Sequence, residues 1–401
     1  MRQVIVHAAI LVCALVGAYV AWTAEPEDPA KAEVTILDIE SDDLEEVRYH
    51  AASLDVRLLP REDEHGKYVW VEVERRKEKQ VPAETTSSKS AEEAASDGGA
   101  ADEAPEGGTA AAGAADAKQG GTSGEEAHDD EAANTTTVEV TERASFKGND
   151  AAEKIVAAAA PMRARRKLDA TEGIDPAELG FDDTPARLVV VAGGNEHTFE
   201  LGDTVYGGDN RYLRDTSTGE VYLVDARVLR PLMSPKTSLL DRKLFRGTLA
   251  DWDRVVVDGP DGKTTLVQHH RSDRDAAYFS IGEEGERSDA AEAWLKKFLR
   301  LRVRTYLDEA PELGGRSPSL SVVLEGEDGP ERVEIYRLEG EGEDPKAGGA
   351  KEIYVARSDH TRTWVELYAP QARDVLEDLP ALVGQASGGG GDAAASAEEA
   401  D

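Results

Sequence analysis

The stretch Asp150 to Asp169, DAAEKIVAAAAPMRARRKLD, aligns without gaps on Asp289 to Asp308, DAAEAWLKKFLRLRVRTYLD. Eight of the twenty positions are identical: Asp-Ala-Ala-Glu at each start, Arg163 with Arg302, Arg165 with Arg304, and Leu168-Asp169 with Leu307-Asp308. Unrelated segments would share about one or two, so the pair reads as a repeated unit. The apolar pattern repeats too. Ile155, Val156, Ala159, Ala160 and Met162 stand opposite Trp294, Leu295, Phe298, Leu299 and Leu301, at a spacing that lines one helix face. Ala157 and Ala158 oppose Lys296 and Lys297 on the solvent side. The opening Asp-x-x-Glu suits a helix start, and the closing bases, Arg163, Arg165, Arg166 and Lys167 against Arg300, Arg302 and Arg304, suit a C-terminal dipole. Both stretches are predicted helices, the first kinked or shortened at Pro161.

Working outward, short runs rich in β-branched and aromatic residues flank both copies. Before the first come Val34–Ile39, Leu54–Leu59, Tyr68–Glu74 and Thr137–Thr141; after it come Arg187–Ala192 and His197–Leu201, joined across Gly193-Gly194-Asn195 as a hairpin, then Arg211–Arg214 and Glu220–Val224. The second copy is framed by Arg254–Asp258, Thr264–His269 and Ala276–Ile281 before it, and by Leu320–Glu325, Arg332–Leu338, Glu352–Ala356 and Thr363–Leu367 after it. Leu44-x-x-Val47 and Leu249-x-x-Trp252 open the two halves, and Pro235–Phe245 joins them. Pro82 to Thr137 contains no large apolar residue and carries thirteen acids against Lys89 and Lys118, so it is expected to be a disordered insertion. The fold class expected is α+β: an N-terminal transmembrane helix, then two tandem repeats of an antiparallel sheet with a packed helix. The boundaries are 1–24 for the cytoplasmic N-terminus and anchor, 33–240 for the first repeat with its insertion at 80–137, 241–386 for the second, and 387–401 for a disordered tail.

The anchor is Val4 to Trp22, VIVHAAILVCALVGAYVAW, a run without Asp, Glu, Lys or Arg and long enough to cross a bilayer's hydrocarbon core. Cleavage after Ala21 or Ala24 would put Tyr19 or Trp22 at the minus-three position, which suits a signal peptidase poorly, so the span is read as uncleaved. Arg2 precedes it and the nearest base after it is Lys31, which places the N-terminus in the cytoplasm. The expected topology is single-pass, with the bulk outside the cytoplasm. Cys13 is the only cysteine, so the exported part folds without a disulfide. A net charge of −35 argues against a nucleic-acid partner.

Several stretches resemble the domain-of-unknown-function family 4340: LGFDDTPARLVVV (179–191), LGD (201–203), RYLRD (211–215), EVYLVDARVL (220–229) and SLLDRKLF (238–245). The tyrosine usual before the Gly-Leu-Asp turn is absent; this chain has Glu178-Leu179-Gly180-Phe181-Asp182. The resemblance implies an inner-membrane protein with one N-terminal span and a periplasmic domain. It also implies an accessory role beside gliding-motility-type ABC transporter components.

No stretch specifies an enzyme, a cofactor or a metal. His269 and His270 stand beside Asp273 and Asp275, but neighbouring residues on a strand point to opposite faces and cannot easily share one ion. His65, His197 and His360 lie in turn-like contexts without ligand spacing. There is no Gly-x-Ser-x-Gly elbow, and Cys13 lies in the apolar run. The repeated Tyr212 and Tyr354 allow a second expectation, carbohydrate or peptide held across exposed sheet edges, against ordinary core packing of both rings. A hydrolase built on an unrecognised carboxylate pair is the third.

Overall fold

The computed structural model describes residues 33–82, 135–168, 175–181, 185–273, 275–283, 285–343 and 350–388. Both predicted helices are present and are ten residues long: α1, Asp150–Ala159, and α2, Asp289–Phe298. The expected faces are as read. Ile155 and Ala159 are buried on α1 and Trp294, Leu295 and Phe298 on α2, while Ala157, Ala158, Lys296 and Lys297 are exposed. The caps sit one residue earlier than expected: Asn149 Oδ1 accepts from the backbone of Ala151 at 2.9 Å, and Ser288 Oγ from that of Ala291 at 3.2 Å.

The closing bases are a correction. Each helix stops before them, α2 only just ahead of Arg300, and the chain turns into strand: β6 (Met162–Ala164) and β7 (Arg166–Lys167) follow α1, and β15 (Val303–Tyr306) follows α2. Pro161 lacks the N–H a helix would need there. Arg163, Arg165 and Arg304 therefore do not face a helix dipole, whereas Arg302 Nη1 donates to the carbonyl of Leu299, the C-cap of α2, at 3.1 Å. Arg165 pairs with Asp225 at 3.0 Å and Arg304 with Glu366 at 2.7 Å.

Two antiparallel sheets carry the helices. The first has nine strands, in the order β5 (Thr135–Lys147), β4 (Gly66–Pro82), β3 (Leu54–Asp63), β2 (Leu44–Ala51), β8 (Ala186–Ala192), β9 (Asn195–Thr204), β10 (Asn210–Asp215), β11 (Val221–Asp225), β7. The second has eight: β14 (Tyr278–Ile281), β13 (Gly262–His269), β12 (Trp252–Gly259), β16 (Leu320–Gly326), β17 (Gly329–Glu343), β18 (Ala350–Ser358), β19 (Trp364–Leu367), β15. With β5 set aside, the two orders agree strand for strand. They agree in an irregularity as well: the ladder β2–β8 shifts register between Leu44 and Glu46, and β12–β16 between Trp252 and Arg254. Leu44 thus corresponds to Trp252, not to Leu249, and the short 3-10 turns 41–43 and 249–251 precede each strand. β1 (Val34–Leu37) pairs with β6 apart from the main sheets.

Strand β2 is missing from the sequence reading, and the predicted hairpin is present, with Ala192 opposite Asn195 and both intervening glycines at positive φ. β4 runs to Pro82 and β5 starts at Thr135, so strand reaches into both margins of the 80–137 expected for the insertion; the residues between them lie outside the described set, as do the tail beyond residue 388 and the anchor Val4–Trp22. Among the described residues no helix is long and apolar enough to cross a membrane.

The halves share one hydrophobic core. Residues 33–76 and 141–388 fall in one compact unit, and its buried cluster runs from Val56, Leu58 and Val71 through the connector residues Leu239 and Leu244 to Val255, Leu266 and, on β16, Leu320, Val322 and Leu324.

Candidate functional site

The connector motif SLLDRKLF supplies a buried charge, Asp241. Asp241 Oδ2 sits 2.7 Å from Lys147 Nζ, on β5, and 2.8 Å from His360 Nε2, in the turn between β18 and β19. All three side chains are buried. Burial pushes the Asp241 carboxyl up, but the hydrogen bond from His360 and the Lys147 charge outweigh it and hold the group well below the usual carboxylate range. Burial and the Lys147 charge push His360 below its ordinary value, so the ring is neutral at pH 7 and donates Nε2–H to Asp241. Tyr306 of β15 donates its hydroxyl to the Asp241 carbonyl at 3.1 Å, and its ring meets Trp70 edge-on at 6.2 Å.

A second set of contacts crosses between the halves. The tip of the β3–β4 hairpin meets the 359–362 turn: Arg362 Nε lies 2.7 Å from Asp63 and over the Tyr68 ring at 5.2 Å, and His65 lies 3.8 Å from Asp359. Beneath it Glu331 on β17 is fully buried and accepts from the Arg246 backbone N–H at 3.1 Å. Burial drives the Glu331 carboxyl up to about 7, against the pull of Arg246. Of these groups, Lys147 with Asp241, Arg362 with Asp63 and His65 with Asp359 pair across the halves, while Glu331 and Arg246 meet within the second.

The residues singled out in the sequence behave otherwise. β13 ends at His269, and His270 takes a φ of 55°, so both imidazoles pack on the Tyr278 ring, at 4.9 and 5.8 Å, where opposite faces were expected. His269 Nε2 meets Ser280 Oγ at 2.8 Å, yet that hydroxyl is buried and donates to the Gly282 carbonyl, which leaves it unsuited to nucleophilic attack. Asp273 accepts from the Asp275 backbone. Among the described residues no three His, Cys, Asp or Glu side chains are grouped to hold a metal ion. The sheet edges expected near Tyr212 and Tyr354 are absent, because β10 and β18 are interior strands; Tyr354 is 1% exposed and Tyr212 is half-buried against Leu179 and Phe181.

Tyr354 does form the floor of a groove of about 850 Å³, between β17–β18, the loop 307–319 and the helix α3 (Ala369–Glu377). Its hydroxyl donates to Glu352 at 2.6 Å, which also takes Arg373 Nε at 3.2 Å and lies 3.8 Å from Arg337 Nη1. Burial and the Glu352 carboxylate push the phenol up to about 12. No sequence signal marks this groove, since its residues come from four separate segments.

The motifs from LGFDDTPARLVVV through SLLDRKLF all fall within residues 140–318, and those residues match the family model described as Domain of unknown function (DUF4340). This stretch is similar to a DUF4340 domain. It runs from β5 through both helices, contains Asp241 and its connector, and leaves out β2–β4 and β16–β19. The DUF4340 match therefore takes in Lys147, Asp241, Arg246 and Tyr306 of the joint but not His360, Glu331 or the Arg362–Asp63 pair, and, of the groove, Arg316 alone. No curated protein and no solved structure matches the chain.

Proposed function

We propose that this chain is a membrane-anchored, extracytoplasmic, non-catalytic protein of the bacterial inner membrane. It serves as an accessory or scaffold subunit of an envelope ABC-type transport or gliding-type complex. The observation that carries the reading is the joint: two sheets of the same strand order are tied by a connector whose charges are buried against both halves, as a rigid body that contacts partners requires. We read the matching orders and matching register shifts as a tandem duplication, with the acidic insertion inside the first unit.

The apolar run Val4–Trp22 supports the tether, through which the lipid bilayer is a partner. Only ten residues, Thr23 to Ala32, separate it from the first described residue, a reach of at most about 36 Å when fully extended. A body held that close meets integral subunits or other proteins at the membrane surface, and a charge of −35 disfavours nucleic acid. Affinity purification from gently solubilised membranes should recover an ABC-type permease or a companion subunit. Recovery of neither abandons the transporter link, and release of the protein by alkaline carbonate washing abandons the tether.

A further inference from the structure

The groove over β17 and β18 is a concave site in which one charge, Arg316, has no partner among the described residues. Arg316 is delivered to it by a tight turn, with its N–H on the Leu313 carbonyl at 3.0 Å and Gly314 and Gly315 both at positive φ. Its guanidinium is exposed and has no ion-pair or hydrogen-bond partner among the described residues. Opposite it, Arg337 and Arg373 line the same groove, and both are steadied by one carboxylate, Glu352, to which Arg373 presents Nε. Tyr354 fixes Glu352 in turn, by a hydroxyl bond from a ring that is itself buried in the sheet. Ser319 completes the wall, its hydroxyl held by the Arg337 backbone N–H at 3.2 Å.

We propose that this groove binds a small ligand bearing clustered carboxylate or phosphate groups, gripped by Arg316, Arg337 and Arg373. Planar forks match two oxygens of an oxyanion at once, and forks already held by Glu352 lose little rotamer freedom when a ligand arrives. Glu339 and Glu377 also line the groove, so a monoanion gains little there; a polyanion that engages three arginines together overcomes their repulsion. The volume admits a molecule of citrate or sugar-phosphate size with room for hydroxyls against Ser319. Glu352 and Tyr354 are positioning residues, not ligand contacts.

The proposal stands apart from the scaffold reading, because the groove lies on one half and uses neither the tether nor the joint. The test is calorimetric titration of the full chain, in detergent, with citrate and separately with inorganic phosphate at physiological salt. Saturable binding of at least one is expected, stronger citrate binding marking a carboxylate ligand and stronger phosphate binding a phosphate ligand. Arg316→Ala should weaken it by about tenfold or more, the cost of one charged hydrogen-bonded contact. Glu352→Gln should weaken it as well, whereas Arg254→Ala, in a β12 pair with Glu283, should not. Should Glu352→Gln fail to fold, Arg316→Ala alone decides, since that side chain supports nothing else among the described residues. No saturable heat with either anion, or wild-type binding by Arg316→Ala, overturns the site.

Discussion

Glu331 and His360 are a few ångströms of packing away from the same joint and respond to pH in opposite senses. Glu331 has its proton affinity raised on folding, to about 7 from the 4.5 of a free side chain, so the folded chain holds the proton more tightly between those values. Its contribution to stability is fully present below pH 4.5 and is lost as pH rises through 7. His360 is lowered from 6.5, so the unfolded chain binds its proton first and stability falls as pH drops below 6.5. Glu331→Gln keeps an acceptor for the Arg246 N–H and removes the titration. It should match wild type near pH 4 and exceed it at pH 8 by on the order of 3 kcal/mol in urea unfolding. An equal difference at both pH values would exclude the buried carboxyl as the cause. The joint's other arm gives a harsher prediction: Lys147→Met leaves Asp241 with His360 alone and should cost about 3 to 5 kcal/mol in the same measurement. None of this was legible in the sequence. His360 reads there as one more histidine in a turn, because its partners, Asp241 and Lys147, lie 119 and 213 residues away along the chain.

At the scale of elements, α1 and α2 were legible because an apolar stripe at helical spacing recurs in both copies. What followed them was not. β6, β7 and β15 are two to four residues long, too short for alternation to show, and their arginines read as the end of a helix. β2 was missed for another reason: its register shift between Leu44 and Glu46 breaks the period of two, so that Leu44, Glu46 and Val47 are all buried. Glu46 is tolerated inside because it bridges Arg48, at 2.9 Å, and Arg57. The start of α1 offers a test of how an element is fastened to the connector. Asn149 caps the helix through Oδ1 and also donates Nδ2 to the Ser238 carbonyl at 3.0 Å. Asn149→Ser retains a cap and loses the tie, at a cost of about 1 kcal/mol; Asn149→Ala loses both, at about 2 kcal/mol. Equal losses in thermal unfolding would show that the tie to the connector carries no stability.

For the molecule as a whole, the matching strand orders explain why the repeated pattern was readable and the joint was not. Repetition leaves its mark in sequence, whereas the fusion of two units depends on residues that occur once: Asp241, Lys147, the Arg362–Asp63 pair and the stacked Phe245–Phe298 rings at 5.0 Å. A core that is continuous through Leu239, Leu240 and Leu244 leaves neither sheet a complete apolar face of its own. The two sheets should therefore open together. Native-state hydrogen exchange in increasing urea is expected to give β3 of the first sheet and β16 of the second the same opening free energy, equal to that of global unfolding. Asp241→Asn weakens the charge that both halves share, and it should lower that common value and split it, with one sheet exchanging at lower urea than the other. If the wild-type sheets already open at different urea concentrations, the joint does not make one body of them, and the rigid platform on which the scaffold reading depends goes with it.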